Sequence, residues 1–168
     1  MKRKGICLAL ATVLMLGVLG SAAVAQERPE SIFSGNLSLL LVAGVTLVYL
    51  DGGYERVLSP GLTLHGAAGL GFDGGATIVR GLLGVKKYLS PTAPEGLWLG
   101  GFGSLDYWSI TIPGWVTGSG TFSGFGAEGG YKLFLAPNVS VEPFARLGFY
   151  TSGGGIGLAF GASVGYAF

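Results

Sequence analysis

The chain has 168 residues, of which 49% are hydrophobic, 33 are glycine and only 11% are charged. That is too little charge to cover the surface of an ordinary soluble domain of this size. The formal net charge of +1 provides no basic surface of the kind that binds nucleic acid, so we expect no nucleic-acid partner.

The first 25 residues have the pattern of a cleaved secretory signal peptide. Basic residues at 2–4 precede an apolar run at 6–19, and Ala23-Val24-Ala25 supplies the small residues of a cleavage site. Cleavage there would leave 26–168 as one domain, with seven basic and nine acidic side chains. The only cysteine, Cys7, would be removed with the signal, so we expect no disulfide in the mature chain.

Residues 31–50 carry no charge and are long enough for a membrane-spanning helix. However, Gly35, Asn36 and Gly44 interrupt the segment, and residues 45–49 are rich in the β-branched and aromatic types that favour strands. Strands are therefore the preferred interpretation, and the helix is the alternative.

Beyond residue 30, large apolar residues recur at every second position between groups of turn residues. This period predicts eight strands, at about 32–42, 44–57, 62–72, 76–89, 97–110, 121–135, 139–151 and 156–168. Most of them exceed the roughly nine to eleven residues that a tilted strand needs to cross a bilayer.

The connections between these segments alternate in character. Proline turns at 59–61, 90–96 and 136–138 alternate with glycine-rich connections at 73–75, 111–120 and 152–155. The alternation predicts turns at one rim of a barrel and loops at the other, with both chain ends on the turn rim. The first hairpin is expected around Ala43-Gly44.

Charged residues within the strands fall on one face, opposite the large apolar residues. In 76–89, for example, Arg80 and Lys86 alternate with Val79 and Leu83. If the apolar face contacts lipid, ten side chains form an inward polar network: Asp51, Glu55, His65, Arg80, Lys86, Asp106, Glu128, Lys132, Glu142 and Arg146. Five acids, four bases and one histidine nearly balance, which a closed interior requires because an unpaired buried ion carries a large desolvation penalty.

The predicted fold is therefore all-β, a closed antiparallel eight-stranded transmembrane β-barrel. A β-sandwich can show the same alternation but normally carries far more charge, and closure removes strand edges that lipid cannot hydrogen-bond. Eight strands leave room only for side chains, so we expect no general pore. The pattern does not decide which face of 97–110 points inward, because the charged Asp106 shares its face with Trp98, Phe102 and Trp108.

The last segment, 156–168, has two different rows. One row is large or apolar and ends on Phe168, whereas the other consists of Gly, Ala and Ser at 157, 159, 161, 163, 165 and 167. Small residues on the inward row predict that large side chains of neighbouring strands fill the space beside them.

No catalytic, cofactor or metal site is predicted. His65 lies on the inward face, where it could act as a base with an acid such as Glu55, but no Ser or Cys nucleophile lies two residues away. The acidic residues lack metal-ligand spacing, and the glycine run at 153–157 lacks the strand-to-helix context of a phosphate loop. Trp115, in the uncharged loop 111–120, is a candidate contact for lipid, ligand or protein, or it packs over the barrel mouth.

Two motifs bear on the family. An apolar Asn-Leu opening at 36–41 is followed by Tyr54-Glu55-Arg56, and the chain ends on Gly165-Tyr166-Ala167-Phe168. In both respects the sequence resembles small bacterial outer-membrane β-barrel domain proteins, many of unknown function. The resemblance implies the fold and an outer-membrane location, and it carries no catalytic residue across.

The ending also resembles the carboxy-terminal signal by which the barrel assembly machinery recognises its clients. The expected interface anchors and assembly signal are Tyr54, Tyr131, Phe160, Val164, Tyr166 and Phe168. Outer-membrane lipids and the assembly machinery are the expected partners, and no particular protein partner is predicted.

The expected function is a structural or interaction role in the envelope of a Gram-negative bacterium, without turnover. One alternative is a narrow conduit or carrier for small apolar ligands, in which Trp98, Phe102 and Trp108 would line an internal pocket. A second alternative is a lipid-modifying enzyme that uses His65 with an acid such as Glu55.

Overall fold

The computed structural model describes residues 29–42, 44–73, 75–90, 94–112, 116–151 and 155–168. They form eight strands: β1 (Ser31–Val42), β2 (Val45–Ser59), β3 (Leu62–Asp73), β4 (Ala76–Tyr88), β5 (Gly96–Ile112), β6 (Val116–Ala136), β7 (Val139–Tyr150) and β8 (Gly155–Ala167). Each strand pairs antiparallel with the next, and β8 pairs with β1, so the sheet closes on itself. The prediction of a closed antiparallel eight-stranded barrel is confirmed.

The strand ends agree with the sequence prediction to within two residues, except in the hairpin of β5 and β6. The predicted loop 111–120 was wrong in extent, because β5 continues to Ile112 and β6 begins at Val116. A physical reason lies in Trp108, whose ring lies beside Gly118 and Gly120, positions with no side chain to displace it. Trp115 itself lies outside the described residues.

The connections are divided between the two rims as predicted, but the expected contrast between short turns and longer loops is wrong, because the longest connection, 89–95, lies on the rim of the proline turns. The connections at 60–61, 89–95 and 137–138 share one rim with the start of β1 and the end of β8, and we call this the turn rim; the opposite end is the loop rim. At the turn rim, Ser31 and Phe168 exchange backbone hydrogen bonds of 3.3 and 3.0 Å. Gly44 and Gly61 have φ values of 81° and 78°, which glycine adopts readily and which the first hairpin and the Pro60-Gly61 turn require.

The strand register determines the width of the barrel. Following paired residues once around it from Ile32 of β1 leads back to β1 at Val42, a shift of ten residues. With a strand spacing of about 4.8 Å and a rise of about 3.3 Å per residue, this shift implies a strand tilt of about 40° and a backbone radius of about 8 Å. Side chains fill an interior of that width.

The two faces of the wall have opposite chemistry. In β4, buried and exposed residues alternate without interruption from Thr77 to Tyr88. The exposed face carries large apolar side chains around the barrel, including Leu50, Leu83 and Leu105 at 60–63% exposure. Such an outer surface is the one that a transmembrane barrel presents to lipid. Among the described residues, no helix is long and apolar enough to span a membrane.

The small inward row of β8 is covered by large side chains, as predicted. A Cβ added to Gly157 would come within 2.7 Å of the Tyr150 ring, and one added to Gly161 within 2.5 Å of the Phe144 ring. Both aromatic residues belong to the neighbouring strand β7. The glycines of β8 therefore provide the space that these rings occupy.

Replacing Leu83 tests whether the outer wall faces lipid. Leu83 lies near the middle of β4 and is 60% exposed, so Leu83→Arg should lower the free energy of unfolding by about 2–4 kcal/mol in a bilayer. Denaturant unfolding in phospholipid vesicles measures this change. Leu83→Met is the matched control, since methionine keeps the apolar contact, and equal stability of the two variants would contradict a lipid-facing wall.

Candidate functional site

All ten side chains of the expected polar network point into the barrel and are buried. They are Asp51, Glu55, His65, Arg80, Lys86, Asp106, Glu128, Lys132, Glu142 and Arg146. The burial pattern also assigns the face of β5 that the sequence left open: Trp98, Phe102 and Asp106 all lie in the interior. Charged and aromatic side chains therefore share one inward surface.

Four of these residues form an alternating square of charge near the turn rim, which we call the ion box: Glu55, Lys86, Lys132 and Glu142. The Lys86 ammonium lies 2.9 Å from Glu55 Oε2 and 2.6 Å from Glu142 Oε1. The Lys132 ammonium lies 2.5 Å from Glu55 Oε2 and 2.9 Å from Glu142 Oε2. Two acids and two bases from β2, β4, β6 and β7 thus cancel each other's charge across the barrel.

Glu55 has the most hydrogen-bond partners in the ion box. Besides the two lysines, Tyr88 OH donates to its Oε1 at 2.8 Å and Thr63 Oγ1 donates to the same oxygen at 2.9 Å. Four donors use the full accepting capacity of a carboxylate. Glu55 therefore has a structural role, because no lone pair of its carboxylate is left to accept a hydrogen bond from a substrate.

Aromatic rings pack against the ion box. Lys86 Nζ lies 4.4 Å from the centre of the Trp98 ring, a distance suited to a cation–π contact. Trp98 also forms a buried cluster with Tyr88 and Phe144. These rings and the four charges together fill the interior on the side of the turn rim.

A second group consists of His65, Glu128 and Arg146. The His65 Nε2 atom lies 2.5 Å from Glu128 Oε1, and Arg146 Nε donates to Glu128 Oε2 at 2.9 Å. Glu55 is the cross-strand neighbour of His65 in β2, but the ring bonds Glu128 instead. Gly84 makes this contact available, because a Cβ at that position would clash with the His65 ring.

A third group, nearer the loop rim, is built around Arg80 and Asp106. Arg80 Nε donates to Asp106 Oδ1 at 2.8 Å, and Ser104 Oγ donates to Asp106 Oδ2 at 3.0 Å. Tyr49 OH adds a longer hydrogen bond of 3.3 Å to Asp106 Oδ1, while the Arg80 guanidinium lies 3.5 Å above the Tyr49 ring. Asp51 is buried beside this group, and its Oδ1 has no hydrogen-bond partner among the described residues.

Apolar side chains close the interior above these groups, on the side of the loop rim. We call this cluster the apolar plug; its buried members are Leu40, Leu47, Tyr49, Ile78, Phe122, Tyr150 and Ala159. Trp108 packs against it and is only partly buried. The plug blocks the path from the loop rim to the charged groups below.

The interior cavity beside the ion box is small. A cavity of about 30 Å³ lies beside the ion box, lined by polar residues that include Asn36, His65 and Ser163. Space on this scale holds one or two water molecules and no organic ligand. Within the described part of the chain, no group of three or more His, Cys, Asp or Glu side chains could hold a metal ion.

Several interior residues were missing from the predicted network although they share its face. Tyr49, Thr63 and Ser104 each hydrogen-bond one of the buried carboxylates. All three lie an even number of residues from a charged inward residue on the same strand, so the period-two pattern could have identified them. The predicted network contains only charged groups and one histidine, so these hydroxyl groups lie outside it.

The expected interface residues lie on the outer wall and are exposed: Tyr54, Tyr131, Phe160, Val164, Tyr166 and Phe168. Phe33, which the sequence analysis did not single out, joins two of them. Its ring centre lies 5.2 Å from that of Tyr54 and 5.3 Å from that of Phe168. An aromatic group thus spans β2, β1 and the end of the chain at the turn rim.

Removing one charge from the ion box should be costly. Lys132→Met leaves Glu55 and Glu142 with a single buried cation, so we expect the free energy of unfolding to fall by about 3–5 kcal/mol. The double variant Lys132→Met, Glu142→Gln removes one charge of each sign and should recover a large part of this loss. Denaturant unfolding of both variants in vesicles measures the coupling, and additive losses would contradict the ion box.

Comparison with known proteins supports the architecture. No protein-family model and no curated protein matches the sequence. Among solved structures, Neisserial surface protein A (NspA) matches with a TM-score of 0.64 and 12% identity, over 82% of this chain and 96% of that chain. The N-terminal β-barrel domain of Pseudomonas aeruginosa OprF matches with a TM-score of 0.58 and 14% identity, over 83% and 100%.

A third similar structure is Ail, the attachment invasion locus protein of Yersinia pestis. It matches with a TM-score of 0.56 and 12% identity, over 84% of this chain and 100% of that chain. Ail has also been solved in complex with the heparin analogue sucrose octasulfate. At these identities the similarity establishes the fold alone. The chain has the fold of the small eight-stranded outer-membrane β-barrels of bacteria.

Proposed function

We propose that the protein is an integral outer-membrane barrel with a structural or interaction role in the bacterial envelope, without a general pore and without turnover. The observation that carries this proposal is the combination of an apolar outer wall and a filled interior. The wall suits lipid, whereas the interior leaves a cavity of about 30 Å³ that admits only water. The surface of the barrel is then the part available for interactions.

The orientation follows from the rims. In single-chain barrels of this type both ends of the barrel domain face the periplasm, and here the start of β1 and the end of β8 lie at the turn rim. The proposed signal at 1–25 would deliver the chain there, and the alternating ending from Phe160 to Phe168 would serve the assembly machinery. The loop rim would then face the outside of the cell.

The packing of the interior supports a conduit or carrier for apolar ligands less well than it supports a structural or interaction role. The side chains proposed to line its pocket are packed against other residues: Trp98 is fully buried beside Tyr88 and Phe144, and Trp108 packs against the apolar plug. Phe102 is also buried, with the Arg146 guanidinium 5.9 Å from its ring centre. A ligand would have to displace several of these groups to enter.

A lipid-modifying enzyme is supported less well too. The described residues place His65 in the interior, bonded to Glu128, whereas the acid proposed as its partner, Glu55, already accepts four hydrogen bonds. A base in this position has no route to a lipid substrate through a closed wall. The histidine is better explained as part of the polar interior.

A sulfated ligand such as the one in the Ail complex would need basic side chains, and the described residues at the loop rim include none. The only charged residue among the described positions near that rim is Asp73, at the end of β3. Anionic sugars gain most of their binding energy from cations. We therefore do not extend that ligand to this chain.

Cell fractionation tests the proposed location. Wild type should appear in the outer-membrane fraction as a band whose gel migration changes on heating, and Phe168→Asp should reduce that band, because a charge replaces an exposed aromatic ring at the interface. Phe168→Tyr is the control and should insert normally. A soluble or alkali-extractable wild type would overturn the location, and normal insertion of Phe168→Asp would overturn the role of the last residue.

Conductance measurements test the absence of a pore. The wild-type barrel should give no stable channel steps in planar bilayers, since the apolar plug and the ion box block the interior from both sides. A porin in the same bilayer provides the positive control. Reproducible steps from the wild type would favour the conduit alternative instead.

A further inference from the structure

Two basic side chains point away from the interior. Among the described residues, Arg80, Lys86, Lys132 and Arg146 are buried, whereas Arg56 and Lys87 are exposed on the outer face of β2 and β4. Neither Arg56 nor Lys87 belongs to any of the ion pairs within the described chain. Both lie within three residues of the end of their strand at the turn rim. Unpaired positive charge on the outer wall is therefore confined to one rim.

The register places these two cations on either side of β3. Arg56 pairs with Leu64 and Lys87 pairs with Leu62, two residues along the same strand. The two backbones are therefore roughly 10 Å apart across the strands and offset by roughly 7 Å along them. Arginine and lysine side chains can reach a common point above β3 from such positions.

An open apolar groove of about 960 Å³ lies on the outer wall, where it crosses β8, β1, β2 and β3. Phe33, Tyr54, Val164 and Tyr166 line it, and Tyr54 is the residue that precedes Arg56 on the outer face of β2. A hydrogen bond of 2.8 Å between Tyr54 OH and Ser31 Oγ and the ring contact with Phe33 fix this tyrosine. The groove therefore has a rigid aromatic wall, and Arg56 lies one outward position beyond Tyr54 on the side of the turn rim.

We propose that Arg56, Lys87 and this groove bind one anionic glycerophospholipid in the leaflet at the turn rim. The phosphate and the anionic headgroup lie at the two cations, and one acyl chain passes Tyr54 into the groove. The proposal rests on the membrane location proposed above. It adds a ligand class and a place on the barrel that the fold alone does not supply.

Charge complementarity selects this occupant. Phosphate oxygens are strong acceptors for guanidinium and ammonium groups, and each basic residue near an anionic membrane surface favours binding. A second copy of the chain fits worse, because a two-fold symmetric contact through this patch would bring Arg56 and Lys87 of one copy against the same cations of the other. A neutral phospholipid would use the groove and gain less from the cations.

Native mass spectrometry of the folded wild-type barrel tests the headgroup. Titration with phosphatidylglycerol should show the first lipid binding about 25-fold tighter than phosphatidylcholine, as expected for about 1 kcal/mol from each of two basic contacts. In the variant Arg56→Gln, Lys87→Gln this preference should fall to within about twofold. Equal affinity for both lipids in the wild type, or a full preference retained in the variant, would overturn the proposal.

A matched pair of glycines tests the groove. Gly52 lines it, while Gly103 is exposed on the outer face of β5, and a Cβ at either position would have a single backbone oxygen 3.9 Å away as its neighbour. Gly52→Leu should weaken binding of the first phosphatidylglycerol about fourfold, roughly the value of one methylene contact. Gly103→Leu should leave it unchanged, and equal effects of the two substitutions would contradict a defined site.

Insertion of the same wild-type protein into vesicles separates this inference from the proposed location. If the wild type inserts into vesicles but shows no preference for phosphatidylglycerol, the lipid site is wrong and the membrane location stands. If it fails to insert into vesicles of either lipid, the proposed function is wrong. Loss of the preference in high salt would agree with the cationic headgroup site, because exposed charges are screened.

Discussion

The structure depends on pairing buried charge inside a closed wall of strands. Glu55 shows the constraint most clearly, since it accepts hydrogen bonds from side chains of β3, β4 and β6 and so joins distant parts of the barrel. Replacing a whole buried ionic network by apolar residues can leave stability unchanged. Removing only one partner lowers stability, because it leaves an unpaired buried charge. The network therefore favours one register of the strands over its alternatives, because a slip by one residue would move every charge of that strand to the lipid face.

Space for these groups comes from glycine. Gly84 gives room for the contact between His65 and Glu128, and Gly69 leaves the position beside Asp51 open. With a backbone radius of about 8 Å, eight strands cannot accommodate a large side chain at every inward position. The glycines of the inward face are thus a packing requirement of a narrow barrel whose interior holds arginine, lysine and tryptophan.

Because the interior is filled, the outer surface is the part of the barrel that is available for binding. The cavity beside the ion box is water-sized, whereas the groove on the outer wall is many times larger. Exposed basic residues among the described positions lie only at the turn rim, and the aromatic group of Phe33, Tyr54 and Phe168 lies at the same rim. The two ends of the barrel therefore offer different chemistry to the membrane.

The amino-acid sequence by itself determined the strands, the inward and outward faces of all of them except β5, and the shared rim of the first strand's start and the last strand's end, because period-two alternation and turn residues are local features. Only the tertiary structure decided which buried groups meet. His65 bonds Glu128 instead of its neighbour Glu55, the aromatic face of β5 turns inward, and the β5–β6 hairpin extends through most of the expected loop. These outcomes depend on strand register and on space across the barrel, which join residues as far apart in the chain as Ser31 and Phe168.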